Sequence, residues 1–185
     1  MKSLNFDNQF TGQLPADADT GSQRKQLKDA RFARVNPPSV CAPTLIPYSE
    51  DAAQLLGLSP EDCASEEFLQ VFAGNKQLQG MDAHATCYGG HQFGNWAGQL
   101  GDGRAINLGE VALGVKHLML QLKGAGPTPD SRGGEGRSPI GPVLREYIVS
   151  EDMHQLGVPT TRALAAVTTG DWVQRDGSLP GAVLA

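Results

Sequence analysis

The chain has 185 residues, 39% of them hydrophobic and 19% charged, with 15 Lys and Arg against 20 Asp and Glu for a net charge of −5. This is the composition of an ordinary folded protein, long enough for one domain with a full core, and its acidic balance argues against a nucleic-acid partner, which needs a basic face. No apolar run approaches the roughly 20 residues of a membrane helix, the first residues lack the order of a secretory signal, and Cys41, Cys63 and Cys87 form neither a CxxC pair nor a disulfide framework. The chain therefore reads as cytoplasmic, with no membrane partner and with cysteines that serve as small packing residues.

Residues 1–30 are polar and poorly periodic, with Gly12, Pro15, Gly21 and a basic cluster of Arg24, Lys25 and Lys28, and read as a flexible arm ahead of a domain over 31–185. Ser49 is placed to cap a short helix that carries Leu55 and Leu56 and ends at Gly57. Ser65 begins another, with Glu66 and Glu67 in its first turn and Phe68, Leu69 and Phe72 on one face. Both helices are expected to pack on a sheet that follows.

A glycine-dense stretch from Tyr88 ends in Gly101-Asp102-Gly103-Arg104, with Phe93 and Trp96 inside it as packing anchors. Residues 104–111 alternate apolar and polar side chains, and 117–123 do so again across Gly114, which predicts a hairpin. The alternation puts Leu118, Leu120 and Leu122 on one face and Lys123 on the other. A loop rich in Gly, Pro, Ser and Arg covers 124–141. A helix then runs from Pro142 through Val143, Leu144, Tyr147, Ile148 and Met153 to Leu156, closed by Gly157 and Pro159. Thr160 to Thr169 reads as a strand, Asp171 to Gly177 as a turn, and Gly181 to Ala185 as the start of a further strand, so that the chain is expected to stop inside a domain.

A glycine turn between strands, followed on the next strand by a lysine outside the hydrophobic face, is the layout by which kinase-like folds hold a triphosphate. Loop glycines alone explain the same pattern equally well, since short glycine motifs have many accidental matches. The Walker pattern and GxGxxG are both missing from the sequence, and so are HExxH and GxSxG. A lysine in a partly dry cleft needs a carboxylate to keep its charge, and the 142–156 helix offers Glu146 and Glu151. Glu146, beside the apolar stripe, is the better partner, while Glu151 reads as a solvated surface acid. Gly134-Glu135-Gly136-Arg137 repeats the GxGR form of 101–104 and is either a second clamp on the same phosphates or an exposed loop. His84 and His91 lack metal-ligand partners and read as structural.

Three runs carry a specific resemblance: YGGHQFGNWAGQLGDGR at 88–104, LQLKGAGPTP at 120–129 and LGVPTTRAL at 156–164. They are similar to the selenoprotein O family, also called YdiU, over roughly residues 30–185. The resemblance implies an α+β fold like the N-terminal lobe of a protein kinase, an antiparallel sheet with flanking helices. It also implies ATP bound in flipped orientation, Mg²⁺ or Mn²⁺, and transfer of AMP to Ser, Thr or Tyr hydroxyls of acceptor proteins. Carried over by motif, nucleotide contacts fall on Gly101, Gly103, Arg104, Lys123, Glu135 and Gly136, with Glu146 pairing Lys123. The departures are Asp130 where the family has Tyr, Glu135 where it has Asp, and Ser138-Pro139-Ile140-Gly141-Pro142 in place of a more helical run.

The resemblance places catalytic and metal-binding residues beyond residue 185, so none is expected in this chain. What is expected is a nucleotide-binding N-terminal portion, inactive alone and inclined to self-associate through the apolar surface left by a missing lobe. The rival expectations are a non-catalytic module that binds nucleotide or a partner, and a vestigial fragment.

Overall fold

A computed structural model describes residue 1 and residues 4–185. The fold is mixed α+β and is built on one antiparallel sheet. In chain order the elements are α1 (Gln9–Gln13), β1 (Phe32–Arg34), β2 (Thr44–Tyr48), α2 (Glu50–Leu55), α3 (Pro60–Cys63), α4 (Glu66–Phe72), β3 (His84–Thr86), β4 (Gly89–Gln92), β5 (Asn95–Gln99), β6 (Ala105–Leu113), β7 (Lys116–Lys123), β8 (Ser138–Pro139), α5 (Ile140–Gln155), β9 (Ala165–Gln174) and β10 (Ser178–Leu184). The main sheet runs β1-β3-β6-β7-β10-β9-β2, with β8 alongside β10, and β4-β5 forms a separate hairpin. A strand pair bearing the lysine, a long helix, then two more strands returning to the sheet is consistent with a kinase-like N-terminal lobe.

The expected hairpin is β6–β7, turning at Gly114 with φ +65°. Its register shifts between Asn107 and Gly109, a bulge that Gly109 permits at φ +144°. Leu120 and Leu122 are buried on one face while Lys123 stands half-exposed on the other. The capped helices also form as expected: the Ser49 side chain accepts from the Ala52 amide and the Ser65 side chain from Phe68. Phe68, Val71 and Phe72 of α4 pack with Leu122, Val167 and Val183 of the sheet, which is where the core lies.

Helix α3 was not expected; Ser59 and Asp62 close it as a reciprocal capping box with Pro60 in its first turn. Helix α5 starts at Ile140 rather than Pro142 because Pro139, fixed at φ −68° in extended backbone, serves as its N-cap. Only its first half meets the sheet: Val143 is buried, whereas Ile148 and Leu156 are 56% and 77% exposed. Strand β9 begins at Ala165 and runs through Asp171 to Gln174, so the turn expected over 171–177 shrinks to three residues, because Trp172 and Val173 find partners in Pro180 and Leu179. Phe93 and Trp96 are 100% and 64% exposed, which corrects their reading as packing anchors. They sit on the two-stranded β4–β5 hairpin, where Trp96 lies edge-on to the His91 ring.

The segment read as a flexible arm makes specific contacts. Phe6 bridges to Val111 and Ala16 to Phe32, and the Phe10 amide donates to the Glu110 carboxylate at 2.5 Å. Phe10 also stacks on His84, and Leu27 and Ala30 are buried. The apolar side chains scattered among polar neighbours here are what dock it.

Candidate nucleotide site

Lys123 ends β7, and one turn of backbone pairing sets its neighbours: Ala105 on one side and Leu184 on the other. Across the gap, α5 presents Glu146, and the Lys123 ammonium donates to Glu146 Oε2 at 2.7 Å. Both side chains are between a third and two-fifths exposed, so the pair is wet and oriented rather than buried. They stand on the rim of a cavity of about 920 Å³ whose apolar walls include Leu56, Leu120, Val149 and Met153. A cavity of that size admits a nucleotide-sized ligand.

Glu151 is not the solvated acid the sequence led us to expect. It accepts from Arg162 through both carboxylate oxygens, at 2.9 and 2.7 Å, from Ser49 Oγ at 2.9 Å and from the Ala163 amide at 3.0 Å. These donors, the Arg162 guanidinium foremost, hold its carboxyl at a pKa of about 2. It ties the end of α5 to the start of α2 and to the stretch before β9, which fixes the helix that carries Glu146.

The GDGR turn sits against a different part of the chain. The Gly101 amide donates to Tyr88 O, that of Asp102 to Thr86 O and that of Gly103 to Gly101 O, at 3.2, 2.9 and 3.1 Å. All three N–H groups are thus engaged within the protein. Thr128 Oγ1 donates to Asp102 O and Ser131 Oγ to Gly103 O, at 2.7 and 2.5 Å, which straps the turn to the 124–137 loop. A Cβ on Gly101, at φ +60°, would run into the Asp130 carboxyl, and one on Gly103 would stand 2.8 Å from Asp130 O. The glycines therefore let Asp130 come close. Asp130 is 5% exposed; burial pushes its carboxyl above the usual range, and Gln99 Nε2 donates to it at 2.5 Å.

Arg104 is half-buried and lies directly before Ala105, the register partner of Lys123, so the turn and the lysine are brought to neighbouring positions in the sheet. The second GxGR is organised otherwise. Arg137 donates to the carbonyls of Ala125 and Pro38, both at 3.1 Å, and its burial pulls its pKa down, so it braces backbone. Glu135 pairs with Arg175 at 2.5 Å on the surface. Gly136 is buried at φ +69°, its carbonyl accepting from Gly126 N at 3.1 Å, and a Cβ there would collide with the Gly126 carbonyl. None of Gly101, Gly103, Arg104, Glu135 and Gly136 lines the large cavity.

The pairing of Lys123 with Glu146 was legible in the sequence; Asp130, Gln99, Arg162 and Arg175 were missed. Only the double use of one carboxylate by Ser49 and Arg162, segments far apart in the chain, could have signalled the last turn of α5, and spacing does not reveal it. Among the described residues there is no group of three or more His, Cys, Asp or Glu that could hold a metal ion. No helix among them is long and apolar enough to cross a membrane.

Comparison with known proteins follows the same lines. A "Protein nucleotidyltransferase YdiU" from Azoarcus sp. (strain BH72) is 56% identical over 177 residues, covering 95% of this chain and 34% of that protein. The protein of the same name from Xanthomonas campestris pv. campestris (strain B100) is 56% identical over 178 residues, 95% and 34% of the two chains. That from Rhodopirellula baltica is 55% identical over 174 residues, 94% and 32%. The chain thus spans about a third of the length of the curated relatives it matches. The family described as "Protein adenylyltransferase SelO" matches residues 18–185, and the chain belongs to that family.

Proposed function

We propose that this chain forms the nucleotide-gripping part of a cytoplasmic protein adenylyltransferase that transfers AMP from ATP to Ser, Thr or Tyr hydroxyls of acceptor proteins. In that reaction the acceptor oxygen bonds to the α-phosphorus, the bond from that phosphorus to the bridging oxygen breaks, pyrophosphate leaves and the hydroxyl proton passes to a base. The Lys123 ammonium, held by Glu146 at the mouth of the large cavity, carries the reading. It offers two further donors to phosphate oxygens while Glu146 fixes its direction. Arg104, just ahead of β6 with its carbonyl accepting from the Gly124 amide, adds a fork for the same charge. Gly101 and Gly103 shape the turn beneath them, and Glu135 and Gly136 set the loop that straps it. On this reading the chain by itself binds nucleotide and does not complete the transfer.

A second reading, nucleotide or partner binding with no part in transfer, draws support from the engaged N–H groups of residues 101–103, which leave no open backbone nest for phosphate. Calorimetry of the folded chain with ATP, beside Lys123→Ala, separates the two. The first reading expects binding that weakens at least tenfold in the variant, the value of one charge-assisted hydrogen bond of about 1.5–3 kcal/mol. ATP binding indifferent to Lys123 favours the second, and no heat from either protein overturns the first and leaves only the partner-binding form of the second.

A further inference from the structure

A second recess, of about 260 Å³, opens where the N-terminal segment crosses the glycine-dense stretch; Arg24, Lys25, Gln99, Leu100, Asp130 and Arg132 line it. None of these residues lines the Lys123–Glu146 cavity. Its walls come from three separated parts of the chain, and Gln99 joins them. The Leu27 amide donates to Gln99 Oε1 at 3.0 Å, while Gln99 Nε2 donates to Lys25 O at 3.2 Å and to Asp130 Oδ1 at 2.5 Å. The recess is therefore built and does not depend on the chance approach of loose side chains.

Its charge is positive. Lys25 is balanced by Asp17 and Asp19, but Arg24 is exposed and has no ion pair among the described residues. Arg132 donates to the neutral Gln92 side chain at 3.0 Å, which leaves its charge uncompensated. Arg132 also holds φ +51°, a left-handed backbone that a non-glycine residue adopts at some cost. The single acid, Asp130, is buried, hydrogen-bonded through Oδ1, and its carboxyl is pushed toward the neutral form. A water takes about 30 Å³, so the recess has room for a compact anion and too little for a nucleoside as well.

We propose that this recess binds a compact phosphate anion, pyrophosphate or inorganic phosphate, through Arg24 and Arg132 with Lys25 at its edge. The recess shares no lining residue with the Lys123–Glu146 cavity, and it abuts the Gly101–Gly103 turn through Asp130. The test titrates the full chain, at low salt, with pyrophosphate and in parallel with inorganic phosphate. The expected result is binding that falls at least tenfold in Arg24→Ala/Arg132→Ala and weakens as salt is raised. The tighter of the two anions shows which form the recess prefers. In the unaltered protein, backbone amide shifts on adding pyrophosphate are expected at Leu100 and Asp130. Shifts confined to residues around Lys123, binding lost in Lys123→Ala and kept in the double variant, or no binding of either anion at millimolar concentration would each overturn the proposal.

Discussion

Glu151 and Arg162 meet side on, with Arg162 Nε and Nη2 donating to the two carboxylate oxygens at 2.9 and 2.7 Å, and both side chains are less than a fifth exposed. Removing one partner of such a pair leaves the other uncompensated. Glu151→Gln is expected to cost about 2–3 kcal/mol of stability, and Glu151→Ala more, since Ser49 Oγ and the Ala163 amide also lose their acceptor. Chemical denaturation measures this; a loss under 0.5 kcal/mol would show the pair to be ornamental.

The same carboxylate predicts an acid limb. Its pKa falls from 4.5 unfolded to about 2 folded, so the unfolded chain binds the proton more readily. The stabilisation is present above pH 4.5 and is lost as pH falls toward 2, by about 3 kcal/mol at most. Glu151→Gln should flatten that limb, which melts between pH 5 and 2.5 would reveal.

His84 predicts a second, milder slope. Its Nδ1–H donates to Asp82 O at 2.8 Å, its Nε2 is buried without a partner, and Phe10 and Phe32 flank the ring. Burial holds its pKa below the ordinary 6.5. The unfolded chain therefore gains protons first, and stability declines as pH drops below 6.5. His84→Phe should abolish this decline; an unaltered slope would assign it to another group.

Glu146 separates orientation from stability. Because Lys123 and Glu146 are each more than a third exposed, screening limits the pair to under about 1 kcal/mol of folding energy. Glu146→Ala should thus melt almost normally while ATP affinity falls about tenfold. Equal affinity for ATP in the two proteins would remove Glu146 from the site.

Two glycines of one motif should part company. Gly136→Ala forces a Cβ into the Gly126 carbonyl at φ +69° and is expected to cost 2 kcal/mol or more, whereas Gly134 has only Ser131 O at 3.5 Å and should accept alanine within about 0.5 kcal/mol. Similar stability for both variants would contradict the close packing of the 124–137 loop.

What could be read in advance followed short-range rules. The β6–β7 alternation, the Ser49 and Ser65 caps and the approach of Glu146 to Lys123 all depend on residues within a strand, a turn or one helical face. Arg137 escaped because its partners, Ala125 O and Pro38 O, are backbone atoms that no side-chain pattern announces. Asp130 escaped similarly: a carboxylate in a polar loop reads as solvated until the fold closes Gly101 over it. Residues 1–30 escaped because docking by Phe6, Phe10 and Leu27 follows no period at all.

Strand β10 pairs Leu184 with Lys123 and Ala182 with Ser138, the residue just ahead of the α5 cap. It therefore acts as a ruler: two positions on one extended backbone measure the separation between the lysine and the root of the helix that bears its carboxylate. A slip of a single residue in one of these two pairings and not the other would change that separation by about 3.3 Å, more than the 2.7 Å span of the ion pair itself. Alignment of Lys123 with Glu146 is thus delegated to a strand that carries no charged side chain of its own.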